Sequence, residues 1–97
     1  MSRLVVVAPL KPGARDAARL LIENGPPFDP ERTQLTAHEV FLTEREVVFL
    51  FEGDDARKTV EELVGDPGIW RAATAWKACL DGRPRLADET YVWTRPA

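Results

Sequence analysis

His38 is the chain's single histidine, Tyr91 its single tyrosine and Cys79 its single cysteine, and tryptophans stand at 70, 76 and 93. These side chains carry most of the chemistry the sequence can offer. An imidazole titrates near pH 6.5, so His38 suits a general base; its plainer role is a structural histidine hydrogen-bonded near a sheet end. Trp70 can wall a pocket or close the rim of a subunit contact. Tyr91 can present a phenol to a ligand or satisfy a local hydrogen bond. His38, Trp70 and Tyr91 are therefore the candidate catalytic residues. Cys79 is a weaker candidate, because it falls at the end of an expected helix, where the dipole opposes a thiolate. It reads as a small core hydrophobe. One cysteine allows no intramolecular disulfide, and no ligand spacing suggests a metal site.

The stretch "GIWRAATAWKACLDGRPR" (68–85) holds two of the tryptophans. On one continuous helix, residues six apart lie roughly 120° apart around the axis. Trp76 then shares a core stripe with Ile69, Ala72, Ala73 and Leu80, and Trp70 lies to one side of it. Arg71, Lys77, Arg83 and Arg85 give this helix and its exit a positive bias. They can meet a carboxylate or phenolate, or form a solvated surface that complements the helix end. Tyr91 and Trp93 fall on one face of an expected last strand, where they line a cavity or pack across an interface.

The elements that must position these groups follow from pattern. "LVVVAPL" (4–10) is apolar on both faces and reads as a central strand, which Pro12 and Gly13 end. Residues 14–25 form a helix with Ala14, Ala17, Ala18 and Leu21 on its inner stripe. "PPFDP" (26–30) is a stiff loop whose Phe28 plugs the core edge or acts as a lid. Residues 35–43 and 46–52 make a hairpin that turns without the Asn-Gly chemistry of the commonest two-residue loops. Asp54 or Asp55 caps a second helix ending near Gly65, and Asp66 with Pro67 starts the tryptophan-bearing helix, which Gly82 ends. Residues 88–95 alternate as the last strand.

At 97 residues this is a single domain, 1–97. The order is that of an α+β, ferredoxin-like βαββαβ fold: a four-stranded antiparallel sheet, with an extra helix before the last strand. Helices cover one face of such a sheet. Yet Val47, Phe49 and Phe51 point to one side of the third strand and Val48 and Leu50 to the other. An uncovered apolar face is an association surface, and a twofold homodimer joined through the sheet face covers it. A core this small gains from such a partner.

The residues "LVVVAPLKPGARDAARLL", the hairpin "HEVFLTEREVVFLFEG" and a tryptophan-bearing helix ahead of a final strand resemble the dimeric α/β-barrel superfamily. Within it they are similar to antibiotic-biosynthesis-monooxygenase-like and stress-responsive α/β-barrel proteins. That resemblance implies a dimeric barrel and a range of activities, among them cofactor-independent oxygenation, haem degradation and isomerisation. Haem-degrading and quinol-oxidising members pair an asparagine on the sheet with a helix tryptophan. This chain's single asparagine is Asn24, at a helix end. Haem-degrading members also carry a histidine about ten residues beyond the tryptophan, and here that position is Leu80. Only Trp70 matches, so no cofactor is expected.

The resulting expectation is a cofactor-independent monooxygenase or isomerase acting on a small apolar or aromatic metabolite, with a non-catalytic ligand-binding or interaction dimer as the alternative. The RNA recognition motif shares this element order, but "EVVFLFEG" lacks that motif's basic start and internal glycine. A net charge of -3 also argues against nucleic acid. No apolar run approaches the length of a membrane span, and the opening residues do not read as a signal peptide. A cytoplasmic location, with a reduced thiol, is the expectation.

Overall fold

The apolar run near the start becomes an interior strand. In the computed structural model, which describes residues Met1–Ala97, β1 (Ser2–Pro9) pairs antiparallel with β3 (Glu46–Gly53) on one side and β4 (Arg85–Asp88) on the other. β2 (Leu35–Leu42) pairs antiparallel with β3, which gives the order β2-β3-β1-β4. This is the α+β, ferredoxin-like arrangement that the pattern implied. The β2–β3 turn manages without glycine through one hydroxyl. Thr43 Oγ1 accepts from the backbone N–H groups of Arg45 and Glu46, and Thr43 N–H donates to the Glu46 carbonyl. A side chain thereby supplies the contacts that a two-residue glycine turn builds from backbone.

α1 (Arg15–Glu23) and α2 (Ala56–Val64) pack on one face of this sheet. Two buried clusters result. Ala8, Leu10, Ala18, Val47 and Cys79 form one, and Leu4, Phe51, Ala56 and Val60 the other. Cys79 is thus a core side chain. The α1 stripe uses Ile22 rather than Ala17, which is exposed. Asp55 caps α2 by accepting from Lys58 N–H.

Two expectations need correction. The tryptophan-bearing segment is not one helix running toward Gly82. It is α3 (Pro67–Ala72), started by Asp66 accepting from Gly68 N–H, and α4 (Thr74–Lys77). Between them Ala73 sits at φ -88°, ψ 7°, outside the helical well. Thr74 Oγ1 donates to the Trp70 carbonyl, a side-chain donor that competes with the backbone N–H for that acceptor. Past the break the bonds tighten to a three-residue span, as from Trp76 N–H to the Ala73 carbonyl.

The last strand also lies earlier than the alternation of 88–95 suggested. Leu80 already bridges Leu10, and Asp81 N–H donates to the Pro9 carbonyl, so the chain is alongside β1 by that point. Gly82, at φ 119°, turns it, and Arg85 to Asp88 then pair with Val7 to Leu4. In that register Ser2 would face Thr90, and everything later runs past the end of β1. Residues 89–97 consequently adopt no strand or helix, with Tyr91 81% and Trp93 62% exposed.

No helix is long and apolar enough to cross a membrane. The second sheet face carries Val5 and Val7 from β1, Val48 and Leu50 from β3, Phe41 from β2 and Ala87 from β4, in register with one another. No helix of the chain covers it. Ion pairs mark its borders, Arg3 with Glu52 and Arg85 with Glu46.

Candidate functional site

Helices and sheet do not close completely on the covered face. A cavity of about 460 Å³ opens between them, lined by Val6, Val40, Phe49 and Phe51 from the sheet and by residues of α1, α2, α3 and α4 from the other wall. Gly25, at φ 90°, turns the chain out of α1, and Pro26 and Pro27 stiffen the loop that brings Phe28 onto the sheet. Phe28 packs 6.5 Å from Phe51 and 5.4 Å from the His38 ring. It belongs to the cavity edge rather than to solvent.

Among the candidate residues, His38 and Trp70 line this cavity and Tyr91 does not. His38 stands on β2 opposite Phe51, with the two rings stacked at 4.6 Å. Its Nδ1 lies 3.0 Å from the Leu50 carbonyl oxygen. A carbonyl only accepts, so Nδ1 carries the hydrogen and the neutral ring keeps its lone pair on Nε2. Burial lowers the pKa of His38 from 6.5, and the Leu50 hydrogen bond opposes that shift without cancelling it. The cavity wall thus holds a neutral imidazole with a fixed tautomer. No carboxylate bonds its ring.

Trp70 donates its indole N–H to the Val64 carbonyl at the end of α2. That bond orients the ring as a wall and leaves no indole donor for a ligand. Lys77 Nζ lies 5.8 Å from the Trp70 ring centroid and also borders the cavity. Trp76 packs edge-on to Phe49, with centroids 5.5 Å apart, and faces the same space. The break at Ala73 explains this convergence. The rotation that separates the two tryptophans on a continuous helix does not apply across two short ones. Leu80, which replaces the histidine of haem-degrading relatives, contributes an alkyl wall.

Sequence reasoning missed the α2 residues Leu63 and Val64 as wall residues and did not single out Lys77 among the cations that can meet a carboxylate or phenolate. In sequence Lys77 is one of four cations that either meet a ligand or form a solvated surface; the structure places it beside the cavity. Tyr91 and Trp93, expected on one face of a last strand, lie outside any strand and do not line the cavity. No group of three or more histidine, cysteine, aspartate or glutamate side chains is arranged so that it could hold a metal ion.

No protein-family model matches the chain, and neither does any curated protein. Among solved structures, an antibiotic biosynthesis monooxygenase superposes with a TM-score of 0.64 and 19% identity, covering 95% of this chain and 99% of its own. A Chloroflexus aurantiacus protein provisionally named for the same activity gives a TM-score of 0.47 and 15% identity, with 95% of each chain covered. At such identity the likeness concerns the fold, and the chain has the ferredoxin-like α+β fold of antibiotic-biosynthesis-monooxygenase-like proteins that its sequence resembles.

Proposed function

We propose that this protein binds a small apolar or aromatic metabolite between sheet and helices, and that His38 acts on it as a general base in cofactor-independent monooxygenation or isomerisation. The observation that carries the reading is the apolar cavity with His38 on its wall, its Nδ1 held at the Leu50 carbonyl. Apolar pockets with a few fixed polar groups are the usual form of small-molecule sites. Nε2 would take a proton from an activated C–H of the ligand. Returning it at another carbon isomerises the ligand. Reaction of the carbanion with dioxygen converts a methylene to a carbonyl, with the second oxygen atom leaving as water. Trp70 serves as a wall in this reading, and Tyr91 takes no part within its own subunit.

The uncovered face, with Val5, Val7, Val48 and Leu50 at its centre, fits a second copy of the chain, and the functional unit is proposed to be that homodimer. A cytoplasmic setting is proposed with it, in keeping with the buried free thiol of Cys79.

Hydrogen–deuterium exchange at the activated methylene of 2-tetralone, followed by NMR, tests the base directly and needs no oxidant. The wild type should accelerate exchange over buffer, and His38→Gln should return it to the buffer rate. Equal rates for both proteins would remove the catalytic reading. The second reading, a non-catalytic ligand-binding dimer, draws support from the sparse polar lining, since Tyr91 is distant and the Trp70 N–H is occupied. Binding of 2-tetralone without exchange would favour it.

A further inference from the structure

The cavity wall has an unequal inventory of polar groups. Its lining contains no aspartate and no glutamate, and Lys77 is its one charged residue. The Trp70 indole N–H is committed to Val64, and His38 Nδ1–H to Leu50. A ligand that needs hydrogen-bond donors from the side chains of this wall therefore finds them at Lys77 alone, whereas a ligand hydroxyl finds an acceptor at His38 Nε2. Lys77 has no carboxylate of the chain within ion-pairing distance, whereas Arg3, Arg15, Arg32, Arg57 and Arg85 do. Its ammonium lies over the Trp70 ring at the cavity border, 5.8 Å from the ring centroid, which leaves its charge without an anionic partner in the chain.

We infer that the natural ligand is an amphipathic organic anion, an apolar body carrying one carboxylate or comparably acidic group, and that Lys77 receives the acidic end at the cavity border. The inference rests on the reading of the cavity as a ligand site and adds the charge that the ligand bears. It also excludes cationic ligands, for which the wall offers no counter-ion. An ammonium near Lys77 would meet like charge and only apolar carbon around it. At pH 7.5 His38 is neutral, because its pKa lies below 6.5, so the lysine is the cation an anion would sense there.

A matched pair of probes on one frame separates charge from shape. The affinities of 2-naphthoate and 2-naphthalenemethanol are measured at pH 7.5 and low ionic strength, by calorimetry and by quenching of tryptophan fluorescence. The wild type should prefer the acid by roughly fivefold, as a partly exposed ion pair provides. Lys77→Met, which keeps the stem and loses the charge, should bring the two probes to equal affinity without weakening the alcohol. Lys77→Arg should keep the preference. If the wild type binds both equally, or Lys77→Met keeps the preference, the inference about charge falls and the cavity reading stands. If neither probe binds, both fall.

Discussion

The two faces of the sheet are nearly equal in apolar content and very different in circumstance. On one, Leu4 and Ala8 of β1 and Val47 and Phe51 of β3 are buried beneath α1 and α2. On the other, Val5, Val7, Val48 and Leu50 stand one residue away along the same strands, half-buried only by one another, and Phe41 is half exposed. Side chains alternate strictly along a strand, so one stretch of sequence feeds both faces. The covered face makes the subunit's core, but incompletely, because the helices leave the cavity. The uncovered face is fully lined but has no partner inside the subunit. Apolar composition alone thus does not say which face is core, which is left uncovered, or where the empty space lies.

Two neighbouring truncations break this comparison most sharply. Leu4→Ala removes a side chain that is 2% exposed and should destabilise the subunit by about 3 kcal/mol, the usual scale for leucine truncation in a core. Val5→Ala, on the other face, should cost the isolated subunit well under 1 kcal/mol. Thermal or urea unfolding at submicromolar concentration, where association is weak, measures both. Similar costs would mean that the second face is already packed within the subunit.

The next largest effect belongs to association. Val48 lies between Phe41 and Val7 at the centre of the uncovered face. Val48→Asp would place a charge in the proposed sheet-to-sheet contact. The expected penalty of about 2 kcal/mol corresponds to roughly thirtyfold weaker dimerisation. Sedimentation equilibrium reads it, and ligand binding on the opposite face should persist. A wild type that sediments as a monomer at micromolar concentration would remove the dimer from the proposal altogether.

What the sequence made legible follows the same division. The strands β1, β2 and β3, the helices α1 and α2 and the caps at Asp55 and Asp66 announce themselves through local pattern, because alternation, stripes and capping are local physics. The break at Ala73 does not. No proline or glycine marks it, and the Thr74 hydroxyl bonded to the Trp70 carbonyl accompanies it. That one unmarked turn decides whether Trp70, Trp76 and Lys77 share a cavity. The position of β4 is equally non-local. "DETYVWTR" alternates better than "RLAD", but pairing depends on where β1 ends, and the bridge at Leu10 and Leu80 had already brought the chain alongside β1. His38 was legible as a residue and its face as a pattern, while its tautomer came from a carbonyl on the next strand.

A smaller effect is expected from pH. Burial lowers the His38 pKa below 6.5, so the folded protein resists protonation more than the unfolded chain does. Stability from this source is complete above pH 6.5 and is lost as pH falls toward the folded-state value, because the unfolded chain then binds more protons. Between pH 7 and 5 the unfolding free energy of the wild type should fall more steeply than that of His38→Gln, whose side chain does not titrate. The slopes should be compared rather than the absolute values, since glutamine also changes the packing on Phe51. Parallel slopes would place the ring in a wetter site than the covered face offers. No matching titration belongs to the uncovered face, which carries no histidine.

The smallest expected effect tests the segment that belongs to neither face. Beyond Glu89 the chain has no strand of its own subunit to pair with, yet Tyr91, Val92 and Trp93 keep the alternation and apolarity of a strand, all at least half exposed. Arg95 lies over the Trp93 ring at 5.3 Å, a contact local to the segment. Removing residues 90–97 should therefore change the stability of the isolated subunit by less than about 0.5 kcal/mol, as surface changes usually do. Dimerisation is the more informative readout. If the segment reaches a second copy, its removal weakens association without touching ligand binding, and the uncovered face then extends past the sheet edge. If association is unchanged, the proposed interface is confined to Val5, Val7, Val48, Leu50 and their neighbours, and the alternation of 88–95 reflects composition without a pairing role.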